Sequence, residues 1–66
     1  MLDYQKRVID EKTALDEKLC RLAVFISAAK FSELSQADKD LLLLQYSIMS
    51  AYSRVLDMRV SLFGGE

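Results

Sequence analysis

Three residues at spacing seven, Gln45, Tyr52 and Arg59, run between two rows of apolar side chains in the second half of the chain. Polar groups in such a position are costly to bury unless something pairs them. A second line at the same spacing, Tyr4, Glu11, Lys18 and Phe25, borders the apolar row Val8, Leu15 and Leu22 in the first half. Together the lines offer rings that can stack on bases and cations that can meet phosphates, which is what a pocket for a flat, phosphate-bearing ligand needs. The same residue types also serve structure alone. Tyrosine and arginine at helix seams snorkel, or bridge to a neighbouring carboxylate, here Asp57 or Glu11.

Other chemistries are absent from the start. With no histidine and a single cysteine, Cys20, the chain has no means of building the usual Cys/His zinc site, a histidine-activated nucleophile or an internal disulfide. It is therefore not expected to be an enzyme, and its residues call for no metal and no cofactor. Nine Lys/Arg against ten Asp/Glu give a net charge of −1, without the basic excess that binding a DNA or RNA polymer requires. The longest mainly apolar stretch, Leu22 to Ala29, is too short to span a bilayer, and the acidic start at Asp3 lacks the order of a signal peptide. The expectation is a cytoplasmic protein with no membrane partner. Cys20 reads as a small, reduced, buried filler, and Met49 and Met58 as packing residues.

Positioning the two lines takes two helices in a single domain spanning residues 1–66. Val8, Leu15, Leu19, Leu22 and Ile26 make one seam of a helix over about residues 2–28, with Asp10, Asp16, Glu17 and Arg21 on the opposite, solvated strip. Asp3 with Arg7 and Glu17 with Arg21 stand at i,i+4, acid first. A connection over about 29–35 contains Phe31 and Leu34, apolar enough to plug the end of a hairpin. Ser35 reads as an N-cap with Asp38 at the third position, opening a second helix over about 36–63 that stops at Gly64 and Gly65.

Four consecutive leucines, Leu41 to Leu44, cover most of that helix's circumference. Ile48, Met49, Val55, Leu56, Leu62 and Phe63 continue two adjacent rows at spacing seven, one suited to the first helix and the other to a neighbouring chain. A chain of 66 residues has a marginal core on its own. The fold expected is all-α, an antiparallel helical hairpin that assembles into a compact homo-oligomer.

Laid out this way, the chain resembles the anti-CBASS cyclic-oligonucleotide sponges, small helical proteins of crAss-like and T-even-type phages. The likeness rests on Arg7-Val8-Ile9-Asp10-Glu11-Lys12, on Leu15-Asp16-Glu17-Lys18-Leu19, and on Leu22 with Phe25-Ile26. It resumes with Phe31, Leu34, Leu42, Gln45, Met49, Tyr52-Ser53, Val55-Leu56 and Arg59. Tyr46 and the run of four leucines depart from that pattern. The resemblance implies a homohexamer, arranged as a trimer of dimers, that captures cyclic di- and trinucleotide messengers in the host cytoplasm and so silences host immune signalling. It assigns Tyr4 and Lys18 to a cyclic dinucleotide pocket. Arg59, with Arg54 as the fallback, falls to a separate cyclic trinucleotide pocket, on the line that Tyr52 and Gln45 share. The competing class is a non-enzymatic adaptor that docks its leucine-rich face onto a host protein, helix into groove.

Overall fold

A computed structural model describes residues 2–63 of the chain. It consists of α1 (Asp3–Ile26), a single helical turn α2 (Ala29–Ser32) and α3 (Gln36–Phe63). The chain is all-helical, and α1 and α3 lie side by side as a long hairpin, a rod of 48 × 14 × 14 Å. The ends of the helices have local causes. Leu2 donates its N–H to the Gln5 side-chain oxygen at 3.1 Å, which also satisfies a glutamine that packing has buried. The Ser27 hydroxyl turns back onto the Ala23 and Val24 carbonyls (3.1 and 3.0 Å), beside its own backbone N–H, which Ala23 also accepts, and so closes the last turn of α1. Ser35 caps α3, its hydroxyl accepting the Asp38 N–H at 3.2 Å. Phe31 and Leu34 are half-buried at the closed end, where Phe31 meets Phe25 edge to face at 6.3 Å. Gly64 and Gly65, expected to stop the helix, lie outside the described residues.

Of the two rows on α3, the one containing Leu42, Met49, Leu56 and Phe63 faces α1, and Leu56 is fully buried opposite a helix whose Val8 is 6% exposed. The row of Leu41, Ile48, Val55 and Leu62 faces away, all four exposed, Leu62 at 71%. Met58, read as a packing residue, belongs with this outer row and is exposed on the single hairpin; Met49 is half-buried. Cys20 is exposed, not a buried filler, because it follows the inward-facing Leu19 and so points off the seam of α1.

The interface between α1 and α3 contains a polar layer. Lys12 stands where the 3,4 alternation of α1 calls for an apolar residue, and Ser53 holds the matching place on α3. The Ser53 hydroxyl donates to Asp16 at 2.5 Å, Lys12 pairs with Asp16 at 2.7 Å, and the Lys12 ammonium reaches Ser53 at 3.4 Å. Asp16, expected on the solvated strip, is thus drawn to the edge of the interface. Among the described residues the ion pairs are Lys12–Asp16 and Lys6–Asp10, in place of the expected Asp3–Arg7 and Glu17–Arg21. A one-turn slip of α3 along α1 would strand Ser53 against apolar side chains and leave Asp16 without its cross-helix donor, so the layer specifies register.

Bonds from Lys12 and then Ser53 hold the Asp16 carboxyl below the usual carboxylate range. A lowered folded value means stabilisation that is present above the unfolded value of about 4 and lost as pH falls through the folded one. Acid titration of Asp16→Asn should accordingly show a shallower loss of helicity than the parent chain, with a lower starting stability at neutral pH; identical acid limbs would contradict the role given to this layer. Leu56→Ala, by opening a cavity at the best-packed point, is expected to cost about 2–5 kcal/mol in urea unfolding.

Candidate ligand face

One hydrogen bond ties the two functional lines together. The Tyr52 hydroxyl on α3 donates to the Glu11 carboxylate on α1. Of the two carboxylates open to the line of Tyr52 and Arg59, Glu11 is therefore the one that takes the phenol, within a single chain. The helices run antiparallel, so one heptad toward the open end brings Tyr4 level with Arg59, and one heptad toward the connection brings Lys18 level with Gln45. Seven-residue spacing keeps each line on nearly the same side of its helix, drifting only about 20° per heptad. Tyr4, Lys18, Gln45, Tyr52 and Arg59 thus share one side of the hairpin, and all are exposed.

The details differ along this ladder. Tyr4 leans edge to face on Phe63 at 5.7 Å, which fixes its ring at the open end. Gln45 reaches the Met49 sulfur at 3.7 Å and joins Leu41, Leu44, Ile48 and Met49 in lining an open groove of about 420 Å³. Lys18 and Arg59 pair with no carboxylate among the described residues. Arg54 lies off the ladder, on the other flank of the outer apolar row, about 200° around α3 from Tyr52. Among the described residues no cluster of three or more His, Cys, Asp or Glu is placed to hold a metal ion.

Proximity within one chain is limited. Tyr4 and Lys18 are fourteen residues apart, as are Gln45 and Arg59, and each separation is about 21 Å of helix. The fold brings Tyr4 to the level of Arg59 and Lys18 to that of Gln45. It does not bring Tyr4 to Lys18 or Gln45 to Arg59, so a small ligand that touches both residues of either pair must lie between chains. Reading residue types along the sequence missed Lys12 and Ser53, which support this face from behind. The signal was there: both are polar residues at positions where the 3,4 spacing calls for apolar ones.

With this geometry in hand, the chain can be compared with known proteins. A model of the Sequestin family matches residues 2–62. The chain belongs to that family. Among its relatives is a 7.5 kDa protein of the denB-rIIB intergenic region of Enterobacteria phage T4, 38% identical over 63 residues, which cover 96% of this chain and 98% of that protein. No solved structure matches. No helix among the described residues is long and apolar enough to cross a membrane. The Sequestin match spans α1, α2 and nearly all of α3, so the whole ladder from Tyr4 to Arg59 falls within it.

The bond to Glu11, joined by burial and by the carboxylate's charge, holds the Tyr52 phenol above its ordinary value, with Arg59 pulling the other way. Its stabilising effect is present below the unfolded value near 10 and lost as pH rises through the folded one. Following the Tyr52 ring by NMR through an alkaline titration should show Glu11→Gln moving its midpoint down toward the ordinary phenol range. A midpoint that does not move would mean that the two lines are not joined here in solution.

Proposed function

We propose that the chain is a phage anti-defence sponge, a non-enzymatic homo-oligomer that binds cyclic di- and trinucleotide second messengers in the host cytoplasm and withholds them from CBASS effectors. The observation that carries this reading is the pair of exposed cations, Lys18 and Arg59, standing without carboxylate partners among the described residues on a face that also carries tyrosine, glutamine, apolar side chains and the Glu11 carboxylate bonded by Tyr52. Cations held in that way are suited to phosphate, and the adjacent rings to bases. The family name speaks of sequestration and the T4 relative is a phage protein, both in keeping with a sponge.

In this mechanism Lys18 meets a phosphate of a cyclic dinucleotide and Tyr4 of another chain stacks on a base. Arg59, on the line with Tyr52 and Gln45, serves a second pocket for cyclic trinucleotides. Both pockets lie between chains, most simply in a hexamer built as a trimer of dimers, because the 21 Å separations leave each incomplete on one hairpin. No bond in the ligand is broken; silencing follows from affinity alone, which must approach the nanomolar range, about −12 kcal/mol, to compete with an effector. An adaptor binding a host protein accounts for the exposed leucines but gives Lys18 and Arg59 no task.

Calorimetry with both ligand classes tests the assignment. Lys18→Ala should lose about 1.5–3 kcal/mol of cyclic dinucleotide affinity, roughly ten- to more than hundredfold, with trinucleotide binding intact. Arg59→Ala should do the reverse while the oligomer keeps its mass. Loss of both ligands together with the mass would assign Arg59 to assembly, and unchanged affinities in both variants would remove the ligand reading.

A further inference from the structure

The outer face of α3 is built as a complete coiled-coil seam. Ala37, Leu41, Leu44 and Ile48 alternate at spacings of four, three and four, and Ala51, Val55, Met58 and Leu62 continue the alternation to the end of the helix. All eight are exposed. This seam lies about 150° around α3 from the one that packs on α1, so the hairpin itself has nothing with which to cover it. The chain presents 5021 Å² to solvent, against about 4,200 Å² for a compact monomer of 7.5 kDa, so the rod leaves roughly 800 Å² more open than a globule of its mass, room enough for an interface that takes about 800 Å² from each partner.

We infer that α3 pairs through this seam with α3 of a second copy, antiparallel, about a two-fold axis between Met49 and Ser50. Two features select that arrangement. The first is side-chain volume: it places Ile48 against the second copy's Ala51 and Leu44 against the second copy's Val55, then Leu41 against Met58 and Ala37 against Leu62. All eight positions are used, and both alanines face a large side chain. Sliding by a heptad in either direction leaves large apolar residues of the seam uncovered.

The second feature is charge. Beside the seam, the antiparallel arrangement sets Arg59 next to the second copy's Asp38, Gln45 next to Tyr52, and Arg54 next to the neutral Ser47. A parallel, in-register pair would instead oppose Arg54 to Arg59 on both sides of the seam, a repulsion that disfavours it. The pairing therefore also extends the ligand face: Gln45 and Tyr52, about 10 Å apart along one helix, come together from two chains. The contact of Arg59 with Asp38 is an exposed rim pair, weak enough to set register without occupying the five donors of the guanidinium.

Disulfide trapping reads the arrangement directly. Full-length chains carrying Cys20→Ser with either Leu44→Cys or Val55→Cys are unfolded, mixed, refolded and oxidised. The expected product is a mixed dimer linked between the two variants, with no linked dimer from either variant alone. Self-linked Leu44→Cys or Val55→Cys dimers, or oligomers that yield no mixed link, overturn the pairing. Charge reversal keeps the test open if a cysteine variant fails to fold. Arg59→Glu should weaken self-association by roughly tenfold on dilution, and adding Asp38→Arg should restore it; a strengthening by Arg59→Glu alone is the parallel result and also overturns it. The pairing stands whatever ligand the face takes. A chain that links as described but binds no cyclic oligonucleotide refutes the sponge and leaves the seam intact.

Discussion

The organisation of this molecule follows from one constraint: α3 carries two apolar seams that a single partner helix cannot cover, and among the described residues α1 is the one other long helix. α1 takes the row of Leu42, Met49, Leu56 and Phe63, leaving Leu41, Ile48, Val55 and Leu62 in water. A 66-residue hairpin whose well-buried apolar side chains are Val8 and Leu56 has little core to lose. The surplus seam is the apolar surface still open to a partner. Assembly in this account is a consequence of how apolar residues are distributed on α3, and the proposed pockets inherit it.

Within the hairpin, polar contacts determine how the apolar surfaces meet. Leucine rows alone tolerate slippage by a turn, since neighbouring positions are alike. The Lys12, Asp16 and Ser53 layer and the bond from Tyr52 to Glu11 do not, because a slip would leave donors and acceptors unmatched. These contacts lie one residue apart on each helix, so the layer that fixes register also holds the central rung of the ligand face. Tyr52 has a second effect there. By donating to Glu11 it occupies a carboxylate at the centre of a face proposed to receive phosphates.

Much of the hairpin was legible in the sequence. The spacing of Val8, Leu15, Leu19 and Leu22 and the Ser35 cap carry enough local physics to place helices antiparallel. Which of two adjacent apolar rows turns inward was not legible, since both have the same spacing and similar hydropathy, and only packing against α1 decides between them. That Met58 falls on the outer side and Met49 on the inner one was hidden for the same reason. Lys12 and Ser53 were missed for another: a search for apolar positions passes over polar residues in the seam, although the long stem of a lysine can line an interface while its ammonium finds a carboxylate. The candidate ligand residues were visible as lines at spacing seven, but their pairing across the hairpin depends on a tertiary register that no local pattern encodes.

The central claim is that ligand is held between chains and left chemically intact. Native mass spectrometry with a panel of cyclic di- and trinucleotides tests it most directly, because one spectrum reports the number of chains, the number of ligands and the mass of each ligand. The expected result is a hexamer that takes up cyclic oligonucleotides, each at its unaltered mass, with no uptake by monomer. A stable monomer binding one ligand per chain, or an oligomer that takes up none of the panel, would contradict it.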